Sequence, residues 1–204
     1  MNDVSTSAAL TARLGARTGH FLLESGYHGN LWLADLDDLF RRPRALSPQV
    51  AELARLISAY DVDGVCGPLT GGAFLAALVA RELDLDFWWT ERTRPPDAGS
   101  LYSAEYRLPP GTRLEGRRVA IVDDVVNAGS AVRATQDSVL AAGGSPVVIG
   151  ALLTLGPSAD PPAALSGLPV ERLAHAHSEL WDPATCPRCA DGSPLTEPEA
   201  ARSS

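Results

Sequence analysis

Residues 119–131 read Val119-Ala120-Ile121-Val122-Asp123-Asp124-Val125-Val126-Asn127-Ala128-Gly129-Ser130-Ala131. Four consecutive apolar residues predict a buried strand, and two carboxylates follow at its carboxyl end. Open α/β sheets hold their ligands at that end. A helix is predicted from Ala131 to Ala142, stopped by Gly143-Gly144. The short loop before it therefore presents backbone N–H groups and a positive helix end together, which suits a phosphate. Ala128 and Gly129 allow close backbone approach, while Asn127 and Ser130 add side-chain partners. Carboxylates beside a phosphate site repel it unless they have a task. Accepting hydrogen bonds from sugar hydroxyls is one, and charge linked to Mg²⁺ is another. An isolated Asp-Asp pair reads as a solvated strand end; within this whole arrangement it reads as part of a ligand site.

The text on either side alternates between strand and helix. Leu10–Arg17 predicts a short helix, then His20–Glu24 and Leu31–Ala34 predict strands parted by Ser25, Gly26, Gly29 and Asn30. Ser47 and Pro48 predict a helix start, with the serine as N-cap, and its apolar positions run to about Tyr60. Gly64–Cys66, Asp86–Thr90, Tyr106–Leu108 and Pro146–Leu155 predict strands, and Ala73–Leu83 a helix. Thr93–Ser103 reads as a loop and Pro157–Pro169 as a proline-rich connection. Strands alternating with helices predict an α/β fold with a mainly parallel sheet.

The chain has 204 residues, enough for one domain with a small appendage and a core that needs no disulfides. Its formal charge of −8 disfavours a nucleic-acid binder, which needs a basic footprint. All 17 basic residues are arginine, so no lysine serves as a Schiff base or as a proton donor. Three cysteines make no disulfide framework. No apolar run reaches the roughly 18 residues of a membrane span, and Met1–Leu10 lacks the pattern of a secretory signal. The cytoplasm is the expected compartment.

The Asp123–Ala131 stretch resembles the signature with which type I phosphoribosyltransferases bind phosphoribosyl pyrophosphate (PRPP), in a form most similar to the orotate branch of that family. That branch usually has threonine where this chain has Asn127. Other segments resemble the same branch. Gly67-Pro68-Leu69-Thr70-Gly71-Gly72 is similar to its pyrophosphate loop, and Gly19–Gly26 to its amino-terminal segment over the base. Glu91-Arg92 is similar to the start of its mobile catalytic loop. Trp181-Asp182-Pro183, Cys186-Pro187-Arg188-Cys189 and Gly192-Ser193-Pro194-Leu195 are similar to the tail of a prokaryotic subgroup.

The resemblance implies a type I phosphoribosyltransferase fold: a mainly parallel central sheet flanked by helices, with a small hood. Residues 18–195 would form that domain, residues 1–17 a partly frayed lead and residues 196–204 a loose tail. It implies that Asp123 and Asp124 hold the ribose and that Val125, Val126, Asn127, Ala128, Gly129, Ser130 and Ala131 hold the 5-phosphate. Leu69, Thr70, Gly71, Gly72, Arg92 and Arg94 would bind pyrophosphate, with Arg92 catalytic beside the two aspartates. Ser25, Gly26 and Asn127 would face the base. Mg²⁺ would come in mainly through PRPP, and the partners would be PRPP, a nucleobase (orotate preferred) and a second copy of the chain, with no nucleic acid or membrane.

Two departures stand out. The expected mobile loop, Thr93–Glu105, has Arg94 as its cation where the family usually carries lysines and a histidine. After the strand Val147–Leu153, where the family tends to have an arginine for the orotate carboxylate, this chain reads Thr154-Leu155-Gly156-Pro157. A purine base as acceptor, and a non-catalytic PRPP or nucleotide sensor, are the alternative readings. Cys186 and Cys189 form a CxxC pair. Zinc needs four ligands, and His175 and His177 could complete a set, but without a second cysteine pair the motif reads as a tail turn with free thiols, and no protein-held metal is expected. His20 and His28 flank the hood, where a substrate contact or a strand-edge position fits either.

Overall fold

A computed structural model describes residues 8, 10–23, 25–34, 36–94, 104–160, 165 and 167–197. Residues 10–13 are helical, but the helix ends at the turn before Gly15, whose φ of 62° suits glycine. The chain then enters β1 (Ala16–Leu22), which pairs antiparallel with β2 (His28–Leu33). The predicted helix to Arg17 is thus shorter, and the predicted strand begins four residues earlier than His20.

Six strands form the main sheet: β3 (Gly64–Pro68), β4 (Asp86–Arg94), β5 (Glu105–Arg107), β6 (Arg118–Val126), β7 (Ser145–Gly156) and β8 (Val170–His177). Their spatial order is β5-β4-β3-β6-β7-β8, parallel throughout except for the β4–β5 ribbon. Alternating residues of β6 face opposite layers. Ala120 and Val122 join the cluster of α1 (Ser47–Ile57) and α2 (Gly71–Leu83), whereas Ile121 packs with Val132 of α3 (Ser130–Ala141). The two-residue period of a strand thus covers both faces of the sheet with helices. β9 (Leu180–Trp181) adds to β2 and completes a three-stranded sheet with the hairpin.

Several expected boundaries are corrected. Ser47 is the first helical residue, not a cap: the 3₁₀ turn Pro43–Leu46 leads straight into α1 and Leu46 already has helical angles. β6 runs on through both aspartates to Val126 because β7 continues to pair with it as far as Thr154. β4 extends to Arg94 because β5 pairs with its end. β8 and β9 are strands that local pattern does not announce. Their half-buried residues carry no clear alternation, and neighbouring β7 and β2 supply the pairing. Among the described residues, no helix is long and apolar enough to cross a membrane.

Candidate active site

The strand order reverses between β3 and β6. From β3 the chain moves outward to β4; from β6 it moves the other way to β7 and β8. At such a switch point the loops leaving two adjacent strands part to opposite faces and open a crevice at the carboxyl ends. A cavity of about 750 Å³ lies there, with Leu69, Thr70, Gly71, Gly72, Arg92, Asp123, Asp124, Val125 and Ala131 on its walls. The acidic strand end, the start of the small-residue loop and the glycine loop, which the sequence separates by some fifty residues, therefore share one cleft.

Asp123 is buried and Asp124 half-buried. Asp124 N–H donates to Asp123 Oδ1 at 3.0 Å, and Val125 N–H donates to Asp124 Oδ1 at 2.9 Å. Burial first, and then the Asp124 carboxylate beside it, push the Asp123 carboxyl well above the ordinary carboxylate range. The pair presents carboxyl oxygens at the cleft, ready to accept hydrogen bonds from hydroxyls.

The glycine loop closes from the other side. Leu69 N–H donates to Thr90 O at 2.8 Å, and the Leu69–Thr70 peptide is cis. Thr70 caps α2, and Phe74 N–H closes onto Thr70 O at 3.2 Å. The amides ahead of that bond have no partner within the helix, so they suit an anion. The loop passes close to the acidic strand end: a β-carbon on Gly71 would run into the Asp124 carboxylate, which would have to turn away.

At the far end of β6, Gly129 adopts φ 81° and caps α3, and Arg133 N–H returns to Gly129 O at 2.9 Å. Ser130 and Ala131 begin the helix, one residue before the predicted start. Val126 and Gly129 are buried, whereas Asn127, Ala128 and Ser130 are half-buried; these five residues are not on the walls of the 750 Å³ cavity.

Arg92 and Tyr106 are cross-strand partners on the β4–β5 ribbon, and both line the cavity. Arg94 is directed to Glu105, 3.7 Å away across the same ribbon. Residues 95–103 of the expected mobile loop lie outside the described residues, as does Glu24 of the amino-terminal motif. Ser25 and Gly26 form the β1–β2 turn, with Gly26 N–H donating to Leu23 O at 2.8 Å, and they do not line the cavity.

Two features of the site lie beyond what local sequence pattern shows. Leu36, Phe40 and Phe74 supply an apolar wall, with the two rings 5.6 Å apart. Phe74 is the one with a signal: a large apolar side chain, 48 % exposed, in the first turn after the glycines. The second feature is the fate of the histidines. His175 meets the Thr154 hydroxyl at 3.2 Å, and His177 meets Glu179 at 3.3 Å. The residues that gather at the CxxC pair are His20 and His28, not the His175 and His177 that the sequence offers to complete a set.

The phosphoribosyl transferase domain family matches residues 43–164. The chain is 31% identical over 182 residues to the orotate phosphoribosyltransferase of Thermotoga maritima, covering 88% of this chain and 89% of that one. It is 30% identical over 181 residues to the orotate phosphoribosyltransferase of Caldanaerobacter subterraneus, with 88% of each covered. Among solved structures, orotate phosphoribosyltransferase from Aeropyrum pernix superposes with a TM-score of 0.61 at 19% identity, over 82% of this chain and 92% of that one. Adenine phosphoribosyltransferase from Thermoanaerobacter pseudethanolicus gives 0.58 at 23% identity, over 69% and 86%. At those identities the two structures speak for the fold.

Proposed function

Because this chain belongs to the phosphoribosyltransferase family, we propose that it transfers the phosphoribosyl group of PRPP to orotate, giving orotidine 5′-phosphate and pyrophosphate in pyrimidine nucleotide synthesis. One observation carries the reading. The acidic strand end, the start of the 125–131 loop and the glycine loop meet at a single switch-point cleft, in a chain alike over most of its length to proteins named for that reaction.

In this reading Asp123 and Asp124 accept hydrogen bonds from the ribose hydroxyls, and the loop Val125–Ala131 with the start of α3 takes the 5-phosphate. Leu69–Gly72 and Arg92 receive the pyrophosphate, with Arg94 nearby. A ring nitrogen of the base forms the new bond to the anomeric carbon while the bond to pyrophosphate oxygen breaks. The electron pair leaves with pyrophosphate and the nitrogen's proton passes to solvent. Positive charge builds on the ribose as the bond breaks, and the acidic doublet stabilises it. Backbone N–H groups and Arg92 stabilise the leaving group. No lysine is available to protonate it, and arginine acts through charge alone. Ser25, Gly26 and Asn127 are assigned to the base.

The cleft fits Mg²⁺. Its walls offer carboxylate, hydroxyl and backbone oxygens, and no thiol or imidazole among the described residues. Asp123 and Asp124 would face the ion, which when bound with PRPP would neutralise pyrophosphate charge. Homodimerisation is part of the proposal, checked by light scattering of the purified chain. The three cysteines are thiols, not disulfides, which suits the cytoplasm.

A purine acceptor is the second reading, favoured by one observation. β7 ends in Thr154-Leu155-Gly156 with no cation, and Thr154 is buried against His175. The test is a panel: PRPP and Mg²⁺ with orotate, uracil, adenine, guanine and hypoxanthine. Nucleotide formation with orotate at the highest kcat/KM is expected. A purine preference would transfer the assignment to the second reading, and no product with any base would end the enzymatic one.

A further inference from the structure

We propose that His20, His28, Cys186 and Cys189 form a structural Zn²⁺ site that clamps the C-terminal segment onto the β1–β2 hairpin. The site is separate from the Mg²⁺-PRPP cleft and does not depend on which base is the acceptor.

The geometry comes first. One ligand atom from each of the four residues lies within 4.8 Å of the others. His20 Nε2 is 3.2 Å from His28 Nδ1 and 3.3 Å from Cys186 Sγ. Cys189 Sγ is 3.8 Å from His20 Nε2 and 3.3 Å from His28 Nδ1. A tetrahedral zinc ion with its usual bond lengths sets nitrogen–nitrogen edges at about 3.3 Å and nitrogen–sulfur edges at about 3.5 Å. The four distances scatter around those edges. Two thiolates with two imidazoles in a tetrahedral array select zinc among the common divalent ions, since Mg²⁺ and Ca²⁺ take oxygen.

The second observation is the tautomer of His20. Its Nδ1 lies 3.0 Å from Ser193 O. A carbonyl only accepts, so Nδ1 carries a proton, which in the neutral ring leaves Nε2 a lone pair directed at the cluster. A metal-bound histidine is held in this way, its second nitrogen fixed by a carbonyl. The residue is 4 % exposed, His28 6 % and Cys186 4 %. Water therefore has little access to the two imidazoles and the Cys186 thiol, while Cys189 closes the cluster from the exposed side.

The third observation is what the segment otherwise lacks. None of the hydrophobic clusters includes a residue of 178–197 among the described residues. Apart from Cys186 and Ser178, that stretch is half-buried or exposed. It reaches the hairpin through the short β9 pairing of Leu180 and Trp181, through Glu179, whose N–H donates to Asn30 Oδ1 at 2.8 Å, through the Ser193 carbonyl on His20, and through Thr196, whose N–H donates to His20 O at 2.8 Å. Small elements without a core are commonly held by a metal. Here the ion would join residues more than 150 positions apart and fix the hairpin that carries Ser25 and Gly26. Four protein ligands leave no open position, so the site holds structure and carries no reaction. Binding replaces the two thiol protons by the ion.

The test uses the full chain, untagged. Elemental analysis of protein purified without chelator should give about one zinc per chain. Cys189→Ser, at the exposed ligand, should lose it, while His175→Ala and His177→Ala should retain it. Metal-free wild type, prepared with a chelator, should take up Co²⁺ with the absorption of a tetrahedral site and thiolate-to-cobalt charge transfer. Metal removal should speed amide exchange in residues 16–33 and 178–197 above the rest of the chain. Wild type without zinc that takes up neither Zn²⁺ nor Co²⁺ would overturn the proposal. So would full zinc occupancy in Cys189→Ser, or its loss in His177→Ala.

Discussion

Gly72 and Asp123 nearly touch across the β3–β6 crevice: a β-carbon on Gly72 would stand 2.5 Å from Asp123 Oδ1 and 2.7 Å from Pro68 Cδ. No real β-carbon sits that close to either, so the loop and the acidic strand end are fitted to each other. Gly72→Ala should cost about 1–3 kcal/mol of stability, as overpacking does. It should also weaken PRPP binding by displacing both partners. Urea unfolding and PRPP titration check it; wild-type values in both would show that the crevice relaxes freely.

Asp123 carries a carboxyl whose folded pKa lies above the unfolded one. Below the ordinary carboxylate range both states are protonated and there is no penalty. As pH rises through that range the unfolded chain releases its proton while the folded chain keeps it, so stability falls, by up to about 1.4 kcal/mol per pH unit, until the folded group ionises as well. Asp123→Asn removes this loss. The variant should gain stability relative to wild type as pH rises from about 4, while losing PRPP binding. Unfolding curves across that range decide it: a constant difference between the two proteins would show that Asp123 titrates normally.

Asp124→Asn keeps the shape of the pair and removes one charge. PRPP use should drop on the order of 100-fold in kcat/KM, as expected when a bound sugar is misplaced. Because the Asp124 charge is one cause of the raised Asp123 value, that value should fall in the variant. Unchanged kinetics would remove the ribose role.

Gly129→Ala would force an alanine into φ 81° and bring its β-carbon 2.9 Å from Leu165 Cδ2. The backbone term alone is about 1–2 kcal/mol. Thermal unfolding should show the loss, and phosphate affinity should fall with it because Gly129 sets the start of α3.

Arg92 and Arg94 separate charge at the cleft from charge on the ribbon. Arg92 lines the cavity, whereas Arg94 pairs with Glu105 at 3.7 Å with both side chains about half exposed. Arg94→Ala should change stability by less than about 1 kcal/mol. Arg92→Ala should lower kcat by roughly 100-fold or more. Steady-state kinetics of the two variants, with equal losses, would erase the distinction between them.

Much of this molecule is local in origin. Val119–Val122 is apolar without a break, so a strand follows from those residues alone, and the aspartates, small residues and helix that come next are set by neighbours along the chain. The same holds for Gly67–Gly72. Short-range pattern therefore determined the α/β class, the acidic strand end and both candidate anion loops. Tertiary structure decided what the pattern does not encode: that β8 pairs with β7, that Phe40 and Phe74 form one wall, and that Leu69–Gly72 lies against Asp123 and Asp124. It also decided which histidines meet the CxxC pair. His175 and His177 are nearer in sequence, yet β8 holds them beside Thr154 and Glu179. The hairpin instead carries His20 and His28 to Cys186 and Cys189. Such pairings depend on where strands dock in space, and sequence distance carries no information about that.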